Sequence, residues 1–296
     1  MKIEFLHHYH ARHGTPLKER LIASLPHYAP FAAAFRWLLN LRDLVPGLPW
    51  LSEKLLGFSA RRSLPRWHKP WQESGAHSAA TDVLGDGKDI VLFADTFNRY
   101  FEPENLAAAE RVLRAAGYRL HRVQAGDGNR QLCCGRTFLS AGDVASARAE
   151  ARRTLDALRP LIAAGARVVG LEPSCLLTFR DEVAALLPKA EVAPLTSAFV
   201  LFEELLAADL AAGKVSLPLQ DRGARVAHLH GHCHQKAFDV MGPVASVLQA
   251  VPGLEVKPIE SSCCGMAGAF GFDPKTIDVS LAMAELNLLP ALRKAG

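Results

Sequence analysis

Long apolar runs and concentrated basic charge are both missing from this 296-residue sequence. Arg36 interrupts the apolar stretch from 21 to 40, and Glu203 and Glu204 interrupt the stretch that begins at Val192. A membrane-spanning helix is therefore not expected. The formal net charge is only +4, and it is spread along the chain as isolated lysines and arginines. This distribution argues against a nucleic-acid-binding surface.

A secretory signal is also missing, because Met1 leads directly into a charged, histidine-rich segment. We therefore expect a cytoplasmic protein, or one that lies peripherally on the inner face of the membrane through its N-terminal segment. Disulfides are uncommon in that reducing compartment, yet the chain has six cysteines. Four of them form two adjacent pairs, and a disulfide between neighbouring residues is strained. The cysteines thus indicate metal binding rather than disulfide bonding.

The sequence has no dinucleotide fingerprint and no obvious pair of nucleophile and base, so its catalytic residues are unknown. Gly268 and Gly271 lack the spacing and the preceding strand of a nucleotide-binding loop. Four N-terminal histidines would spread around a helix without a neighbouring cysteine or acid, and we interpret them as surface residues: His7, His8, His10 and His13.

The order of predicted elements changes near residue 88. Apolar residues recur at helical spacing from Leu21 to Leu44, which predicts a helical N-terminal region. Its Leu, Phe and Trp side chains are expected to pack on another part of the protein. Strands are then predicted at Asp89–Ala94, Tyr118–Val123, Ala166–Leu171, Ala224–Leu229 and Leu254–Ile259. Helices are predicted at Pro103–Gly117, Gly142–Ala164, Ser197–Ala212 and Pro274–Arg293. Alternation of this kind predicts an α/β fold with mainly parallel sheets and flanking helices.

An internal repeat divides the α/β part into two related half-domains. Strand, helix, strand, Cys-Cys-Gly and helix follow one another twice, and the triplets begin at Cys133 and Cys263. The period is too long for a solenoid and is typical of duplicated half-domains. We therefore predict a helical N-terminal segment at 1–85, a first repeat at 86–222 and a second repeat at 223–296.

Each cysteine follows a predicted strand, directly or across a loop. Cys175, Cys233 and the pair Cys263–Cys264 follow the strands that end near Leu171, Leu229 and Ile259, and the pair Cys133–Cys134 follows Val123 across a Gly- and Asp-rich loop. The carboxyl ends of parallel strands form the edge where ligands bind, so we expect the six thiols to meet there.

The Cys-Cys pairs are also predicted to precede helices, one near Gly142 and one capped by Asp273-Pro274. Helix amino ends lower thiol pKa and stabilise metal thiolates. Soft thiolates favour iron–sulfur clusters or zinc over magnesium or calcium. A single buried cysteine is usually only a small apolar residue, but two such triplets indicate a metal site. Metal-free thiol exchange is an open alternative.

At these residues the sequence resembles the cysteine-rich CCG domain family. That family includes a cysteine-rich component of heterodisulfide reductase, the iron–sulfur subunit of glycolate oxidase, and the C-terminal part of FAD-linked D-2-hydroxyacid dehydrogenases. Its motif is a Cys, then Cys-Cys-Gly some thirty residues later, then further Cys. Here the second repeat has Cys233 and Cys263-Cys264-Gly265, and the first has Cys133-Cys134-Gly135 followed by Cys175. The resemblance covers 88–296 well and 1–85 more weakly.

The sequence departs from this motif in both repeats. Thr96 stands where the first repeat should have the counterpart of Cys233, and a counterpart of Cys175 in the second repeat would fall beyond Gly296. The start of the chain resembles the helix after a ferredoxin-type domain, so we expect a fragment that is shortened at both ends. We interpret Asp95 and Asn98, which lie near the missing ligand, mainly as structural polar residues. Three histidines bracket Cys233, and one of them could be a ligand or a hydrogen-bond donor to the site: His230, His232 or His234.

The resemblance implies one or two iron–sulfur clusters of [4Fe–4S] type on the six cysteines, with zinc as an alternative at one site. It implies that electrons come from an FAD that oxidises a D-2-hydroxyacid of the lactate, glycolate or 2-hydroxyglutarate type. The flavin would lie on a dehydrogenase domain or subunit outside this chain, and the downstream acceptor is not identified. Two other functions stay open: a zinc-stabilised structural or interaction module, and a metal-free thiol–disulfide reductase.

Overall fold

The computed structural model describes residues 1–74, 86–123, 130–221, 223–261 and 263–295. The chain forms two compact units that do not follow the sequence in single blocks. The first unit contains residues 1–36, 67–205 and 215–217, and the second contains 37–66, 206–214 and 218–296. The three-part division at residues 85 and 222 stays a prediction.

A four-stranded parallel sheet forms the centre of the first unit. Its strands are β1 (Asp89–Phe93), β2 (Arg119–Leu120), β3 (Arg167–Gly170) and β4 (Phe199–Leu201). Their order is β2-β1-β3-β4, and Ile90 lies opposite Leu120 on one side and Arg167 on the other. β1 is buried along its whole length, as expected for an apolar run between two parallel neighbours.

The second unit contains a pair of parallel strands, β5 (Arg225–Leu229) and β6 (Leu254–Pro258). Residues 37–66 belong to this unit and are fastened to its C-terminal part. Ser59 N donates a hydrogen bond to Phe272 O at 2.7 Å, and Arg61 Nη1 lies 2.6 Å from Asp278 Oδ1.

Helices account for most of the remaining structure. In chain order they are α1 (Lys2–His13), α2 (Leu17–Ala23), α3 (Leu25–Ala34), α4 (Arg36–Leu39), α5 (Leu48–Leu56), α6 (Thr96–Tyr100), α7 (Pro103–Ala115), α8 (Arg136–Ser140), α9 (Val144–Ala163), α10 (Pro173–Thr178), α11 (Val183–Leu186), α12 (Lys189–Thr196), α13 (Phe202–Ala211), α14 (Cys233–Ala237), α15 (Met241–Gln249), α16 (Ile277–Leu286) and α17 (Leu288–Ala295). Short 3-10 helices span Asn40–Asp43 and Phe270–Phe272. Among the described residues, no helix is both long enough and apolar enough to cross a membrane.

The core of the first unit is built from amphipathic helices and aromatic side chains. In α9, the buried residues Ala151, Leu155 and Leu158 recur at helical spacing, and this helix packs on β3. The ring of Phe179 stacks on Phe199 with centroids 4.5 Å apart and meets Phe93 edge-on at 5.7 Å. Through Phe179, which follows α10, this packing connects the end of β1 with the start of β4.

The predicted α/β class, with parallel sheets, flanking helices and a helical N-terminal segment, is confirmed. Two boundaries were wrong. The predicted helix at Ser197–Ala212 begins with β4, because Phe199 and Leu201 are buried beside β3. The last helix begins at Ile277, after a cap at Thr276 rather than Asp273-Pro274, and it breaks at Asn287. Most of the Gly- and Asp-rich loop before Cys133 lies outside the described residues.

Candidate metal centre

Three cysteines of the first unit form a buried group, here called the first thiol cluster: Cys133, Cys134 and Cys175. The adjacent pair lies at the entrance to α8, and Cys175 lies in α10, directly after β3. The thiol of Cys134 makes hydrogen bonds with both of the others. The first repeat thus brings its three predicted ligands together at the carboxyl end of a parallel strand.

The loop that carries Cys133 is held in place by α9. Thr154, which is fully buried, donates a hydrogen bond from Oγ1 to Cys133 O at 2.7 Å and accepts one from Cys133 N at 3.2 Å. Arg153 Nη1 donates to Gln131 O at 2.8 Å. These contacts fix the main chain of the loop on both sides of the thiol, and sequence reasoning missed them.

The second unit has a corresponding group, here called the second thiol cluster: Cys233, Cys263 and Cys264. Cys233 begins α14 after β5 and is exposed, whereas the adjacent pair after β6 is half-buried. Cys233 lies close enough to Cys263 for a hydrogen bond between the thiols. This cluster is therefore more open to solvent than the first.

The glycine of each Cys-Cys-Gly triplet has the same local geometry. Gly135 and Gly265 both have a φ of 82°, and their N–H groups donate to Cys133 Sγ and Cys263 Sγ at 3.3 Å. A Cβ added at Gly135 would lie 2.6 Å from Ala147 O, and one at Gly265 would lie 2.0 Å from Ser280 O. Only glycine combines this positive φ with such a close approach of main chains. The matching geometry explains why the triplet recurs as a unit.

The first residues of α6 and α14 occupy corresponding positions in the two repeats. The first repeat therefore has Thr96 at the position that Cys233 has in the second. Asp95 caps α6 and Thr96 follows it, just as His232 caps α14 and Cys233 follows it. The capping role agrees with a structural interpretation of Asp95, whose Oδ2 also accepts a hydrogen bond from Asn98 Nδ2 at 2.8 Å. Burial raises the pKa of Asp95 to about 6.

The histidines around Cys233 are arranged by local hydrogen bonds. His232 Nδ1 accepts a hydrogen bond from His234 N at 3.1 Å, and their rings stack with centroids 5.2 Å apart. His230 Nδ1 lies 2.7 Å from Ser261 Oγ. The imidazoles therefore surround the entrance of α14, whereas carboxyl groups lie near the first cluster.

The thiols of the first cluster do not have the lowered pKa that the sequence predicts. The hydrogen bond to Cys134, together with burial, raises the pKa of Cys133 well above its usual range. Cys134 has its pKa lowered by Cys133 but raised further by Cys175 and burial, so the net shift is also upward. Cys134 lowers the pKa of Cys175, but burial and the nearby carboxyl groups of Asp95 and Glu172 raise it to about 12. The neighbouring thiols, burial and the carboxyl groups together give an upward shift, opposite to the one expected from the helix ends.

Burial also raises the pKa of Cys233, and the neighbouring thiols Cys263 and Cys264 add to this effect. Over the described part of the chain, no three or more His, Cys, Asp or Glu side chains form a group that could hold a metal ion. The case for a bound metal cofactor therefore rests on the chemical type of the donor atoms, which are cysteine sulfurs.

Two N-terminal histidines contact the turn that follows α8. His7 Nδ1 lies 3.0 Å from Gly142 O, and His10 Nδ1 lies 3.0 Å from Ala141 O. These contacts hold α1 against the helix that carries the first Cys-Cys-Gly triplet. His7 is exposed, as the sequence analysis expected, and His10 is half-buried. The contacts themselves were missed, because nothing near these histidines in the sequence indicates a partner more than a hundred residues away.

Residues 94–180, which contain the first Cys-Cys-Gly loop together with β2 and β3, match the family model of the cysteine-rich domain, CCG. The resemblance to this family is confirmed for those residues. They include the whole first thiol cluster.

The relatives are dehydrogenases. The chain is 25% identical over 98% of its length to D-2-hydroxyglutarate dehydrogenase of Escherichia coli strain K12, of which it spans 28%. It is 28% identical over 99% of its length to the D-2-hydroxyglutarate dehydrogenase of Pseudomonas putida, again spanning 28%. Over 86% of its length it is 25% identical to one of the subunits of anaerobic glycerol-3-phosphate dehydrogenase of Escherichia coli strain K12, and it spans 61% of that relative. No solved structure matches. The chain is thus similar to a cysteine-rich part of larger oxidoreductases.

Proposed function

We propose that this chain is the iron–sulfur electron-transfer module of an FAD-linked oxidoreductase that oxidises a D-2-hydroxyacid. The observation that carries the proposal is that each unit joins a Cys-Cys-Gly loop to a third cysteine at a helix entrance after a parallel strand. Soft thiolates at such an edge are the donors that iron–sulfur clusters use.

The ligands would be Cys133, Cys134 and Cys175 at one site, and Cys233, Cys263 and Cys264 at the other. Main-chain N–H groups already point at sulfur in both triplets, and Arg136 N adds a donor to Cys134 Sγ at 3.4 Å. Such hydrogen bonds stabilise the negative charge of a metal-bound thiolate. The residues therefore fit one or two clusters of the [4Fe–4S] type, with zinc as the alternative at one site.

When bound, an iron–sulfur cluster supplies reversible one-electron transfer. The protein's part is to hold the thiols and to set their surroundings. Buried helices exclude water from the first cluster, and the carboxyl groups of Asp95 and Glu172 place negative charge beside Cys175. In the second cluster Cys233 is instead exposed, and it lies between His232 and His234 at the start of α14. The two sites would therefore have different reduction potentials.

The oxidation of substrate would take place on a flavin dehydrogenase domain or subunit, with a ferredoxin-type domain between flavin and this chain. The D-2-hydroxyglutarate dehydrogenases align with nearly the whole chain, whereas the glycerol-3-phosphate dehydrogenase relative aligns with 86% of it. This difference favours a D-2-hydroxyacid of the lactate, glycolate or 2-hydroxyglutarate type. We place the chain in the cytoplasm, peripheral to the inner face of the membrane.

Anaerobic purification followed by iron, zinc and acid-labile sulfide analysis tests the proposal. We expect iron and sulfide, and an EPR signal after reduction with dithionite. Cys134→Ser and Cys264→Ser form a matched pair, because each changes one cluster and leaves the other as its control. Zinc without iron would instead identify a structural module. Thiol–disulfide exchange by a fully demetallated chain, abolished by Cys264→Ser, would identify a reductase.

A further inference from the structure

Two hydrogen-bond donors lie beside the second Cys-Cys-Gly loop in an unusual state, and the first of them is Ser280 in α16. Its side chain is fully buried, and its hydroxyl group has no hydrogen-bond partner among the described residues. Buried polar groups in folded proteins are nearly always hydrogen-bonded. The state of this hydroxyl group therefore indicates that an acceptor is still to be supplied.

The helix that carries Ser280 does not use its hydroxyl group. Serines and threonines inside helices commonly donate to the carbonyl oxygen four residues earlier. Four hydroxyl groups of this chain do so, those of Ser140, Thr178, Thr196 and Ser246. The same bond from Ser280 would reach Thr276 O, and the structure does not have it. The hydroxyl group is thus available to a group outside its own helix.

The second donor is Arg62, whose half-buried guanidinium contacts the sulfur of Met266. A thioether is a weak acceptor and carries no charge. Over the parts of the chain that the structure describes, the guanidinium forms no ion pair. The neighbouring Arg61 differs, because it is exposed and lies 2.6 Å from Asp278 Oδ1. Arg62 therefore places a positive charge against the loop without a negative group to balance it.

The two donors converge on the same part of the loop. A Cβ added at Gly271 would lie 2.5 Å from Arg62 Nη1 and 3.0 Å from Ser280 Oγ. Gly271 N donates to Met266 O at 3.0 Å, which closes the loop at this point. The main chain of Ser280 also packs against Gly265. The donors therefore contact the residues that directly follow the second cysteine pair.

The first repeat differs at the same place. Helix α9 approaches Gly135 through the main chain of Ala147, just as α16 approaches Gly265 through Ser280. A methyl group thus occupies the position of the hydroxyl group. The charged groups beside Cys175 are carboxyl groups rather than a guanidinium. The pair of donors is therefore not part of the backbone design that the two triplets share, and it needs a reason specific to the second cluster.

A negatively charged acceptor would account for both side chains. Thiolates that hold iron carry negative charge, and hydrogen bonds and net charge around such a site set its reduction potential. We propose that Arg62 and Ser280 are donors to the metal-bound second thiol cluster and raise its reduction potential. This inference rests on the proposed electron-transfer function. A free anion such as sulfate offers the same charge, so the two sources have to be separated by experiment.

An EPR-monitored redox titration of the iron-loaded chain measures the effect. Arg62→Gln should lower the ratio of reduced to oxidised second cluster at a fixed potential by at least about tenfold, which is about 59 mV for one electron. Ser280→Ala should lower this ratio about threefold, because it removes a hydrogen bond but no charge. Arg62→Lys keeps the charge and should stay within about threefold of the wild type. The first cluster should keep its potential in all three variants.

Arg61→Gln is the matched control, because it removes a neighbouring charge that Asp278 already balances. It should leave both potentials unchanged. In the metal-free chain, Ser280→Ala should raise the urea concentration at the midpoint of unfolding, since it removes a buried donor that has no acceptor. A hydroxyl group that only supports the fold would give a lower midpoint, and this result would overturn the assignment of Ser280.

The inference alone is wrong if iron and sulfide bind but Arg62→Gln and Ser280→Ala leave the second potential unchanged. It is also wrong if only the first cluster gives an EPR signal. If sulfate stabilises the metal-free wild type, and both substitutions abolish this stabilisation without changing the potential, the donors hold a free anion and the inference is again wrong. Absence of iron and sulfide from the wild type would instead overturn the proposed function, and the inference with it.

Discussion

The two thiol clusters share a backbone design but differ in their surroundings. Both have a glycine at φ 82° that donates to the first sulfur of its pair. The first cluster is buried beside carboxyl groups, whereas Cys233 is exposed beside imidazoles. The comparison shows that the Cys-Cys-Gly triplet determines the backbone conformation of its loop. The neighbouring helices determine how far the thiols are exposed to solvent and which charged groups lie beside them. Changes to the glycines should therefore affect both clusters alike, and changes to the surroundings only one.

The largest effect is expected from Gly135→Ala and Gly265→Ala. Each adds a Cβ that overlaps a main-chain carbonyl and strains a positive φ. We expect a loss of about 3 kcal/mol or more in the free energy of unfolding and loss of metal at the altered cluster. Urea denaturation and metal analysis provide the measurements.

Gly87→Ala in the first unit and Gly213→Ala in the second are matched controls. Both glycines have a positive φ but nothing within 4 Å of an added Cβ. They should cost only about 1 kcal/mol, the strain of the backbone alone. Equal losses at Gly135 and Gly87 would show that the close approach to Ala147 does not matter.

The next largest effect is expected in the rate of alkylation, which should differ between the two thiol clusters. In the reduced chain treated with a chelator, iodoacetamide should modify Cys233 at least about a hundredfold faster than the first cluster, because a buried thiol must wait for local opening. Mass spectrometry of peptides sampled over time gives the rate at each cysteine. Comparable rates at Cys233 and Cys175 would mean that the difference in burial does not persist in solution.

The pH dependence of stability should come mainly from the first cluster. The pKa of Cys175 is about 12 in the folded chain but about 8.5 in an unfolded one. Because the folded pKa is the higher, the unfolded chain releases its proton first. Stability is full below about pH 8.5 and falls as pH rises toward 12.

For Cys175 alone, this loss amounts to about 2 kcal/mol between pH 8.5 and pH 10. Urea denaturation of the reduced, chelator-treated chain at both pH values measures it. Cys175→Ala should make the dependence shallower but not abolish it, because the pKa values of Cys133 and Cys134 are also raised. Cys233→Ala should change it less, because that thiol is exposed. A steeper fall after Cys175→Ala would contradict the assigned pKa.

The smallest effect is expected from Thr154→Val. Valine keeps the volume but removes both hydrogen bonds to the main chain of Cys133, which should cost about 1–2 kcal/mol. The EPR signal of the first cluster should change and that of the second should not. Thr154→Ser, which keeps the hydroxyl group, should restore the signal. An unchanged signal in Thr154→Val would show that Thr154 is not needed to hold the loop that carries Cys133.

The sequence predicted the parallel strands well because each is a short apolar run between turn residues. It also placed each thiol after such a strand, but it expected all six at one edge, whereas the structure has two sheets with three cysteines following each of them. β4 was missed because Phe199 and Val200 continue into a helical pattern without a break. The short helices that hold the cysteines were missed because five or six residues show no periodicity.

Other features depend on contacts that no local pattern reports. Thr154 meets Cys133 across twenty-one residues, and His7 meets Gly142 across 135. The direction of the thiol pKa shift was mispredicted because helix position can be read from sequence but burial of the whole cluster cannot. Trp37 and Trp50 are 65% and 60% exposed. Their exposure was missed for a similar reason, because an apolar residue at helical spacing usually faces a core.

The pairing of β1 with β3 has a consequence for maturation. During synthesis Cys133 and Cys134 leave the ribosome before Thr154 and Cys175, and the strand leading to Cys175 can join the sheet only when Arg167 reaches Ile90. Pairing over such a sequence distance is slow. A nascent chain therefore exposes two adjacent thiols before the contacts that hold them have formed. Under the proposed function, metal would be loaded at the first thiol cluster only after release of the first unit, and keeping the pair reduced until then would raise the yield of intact protein.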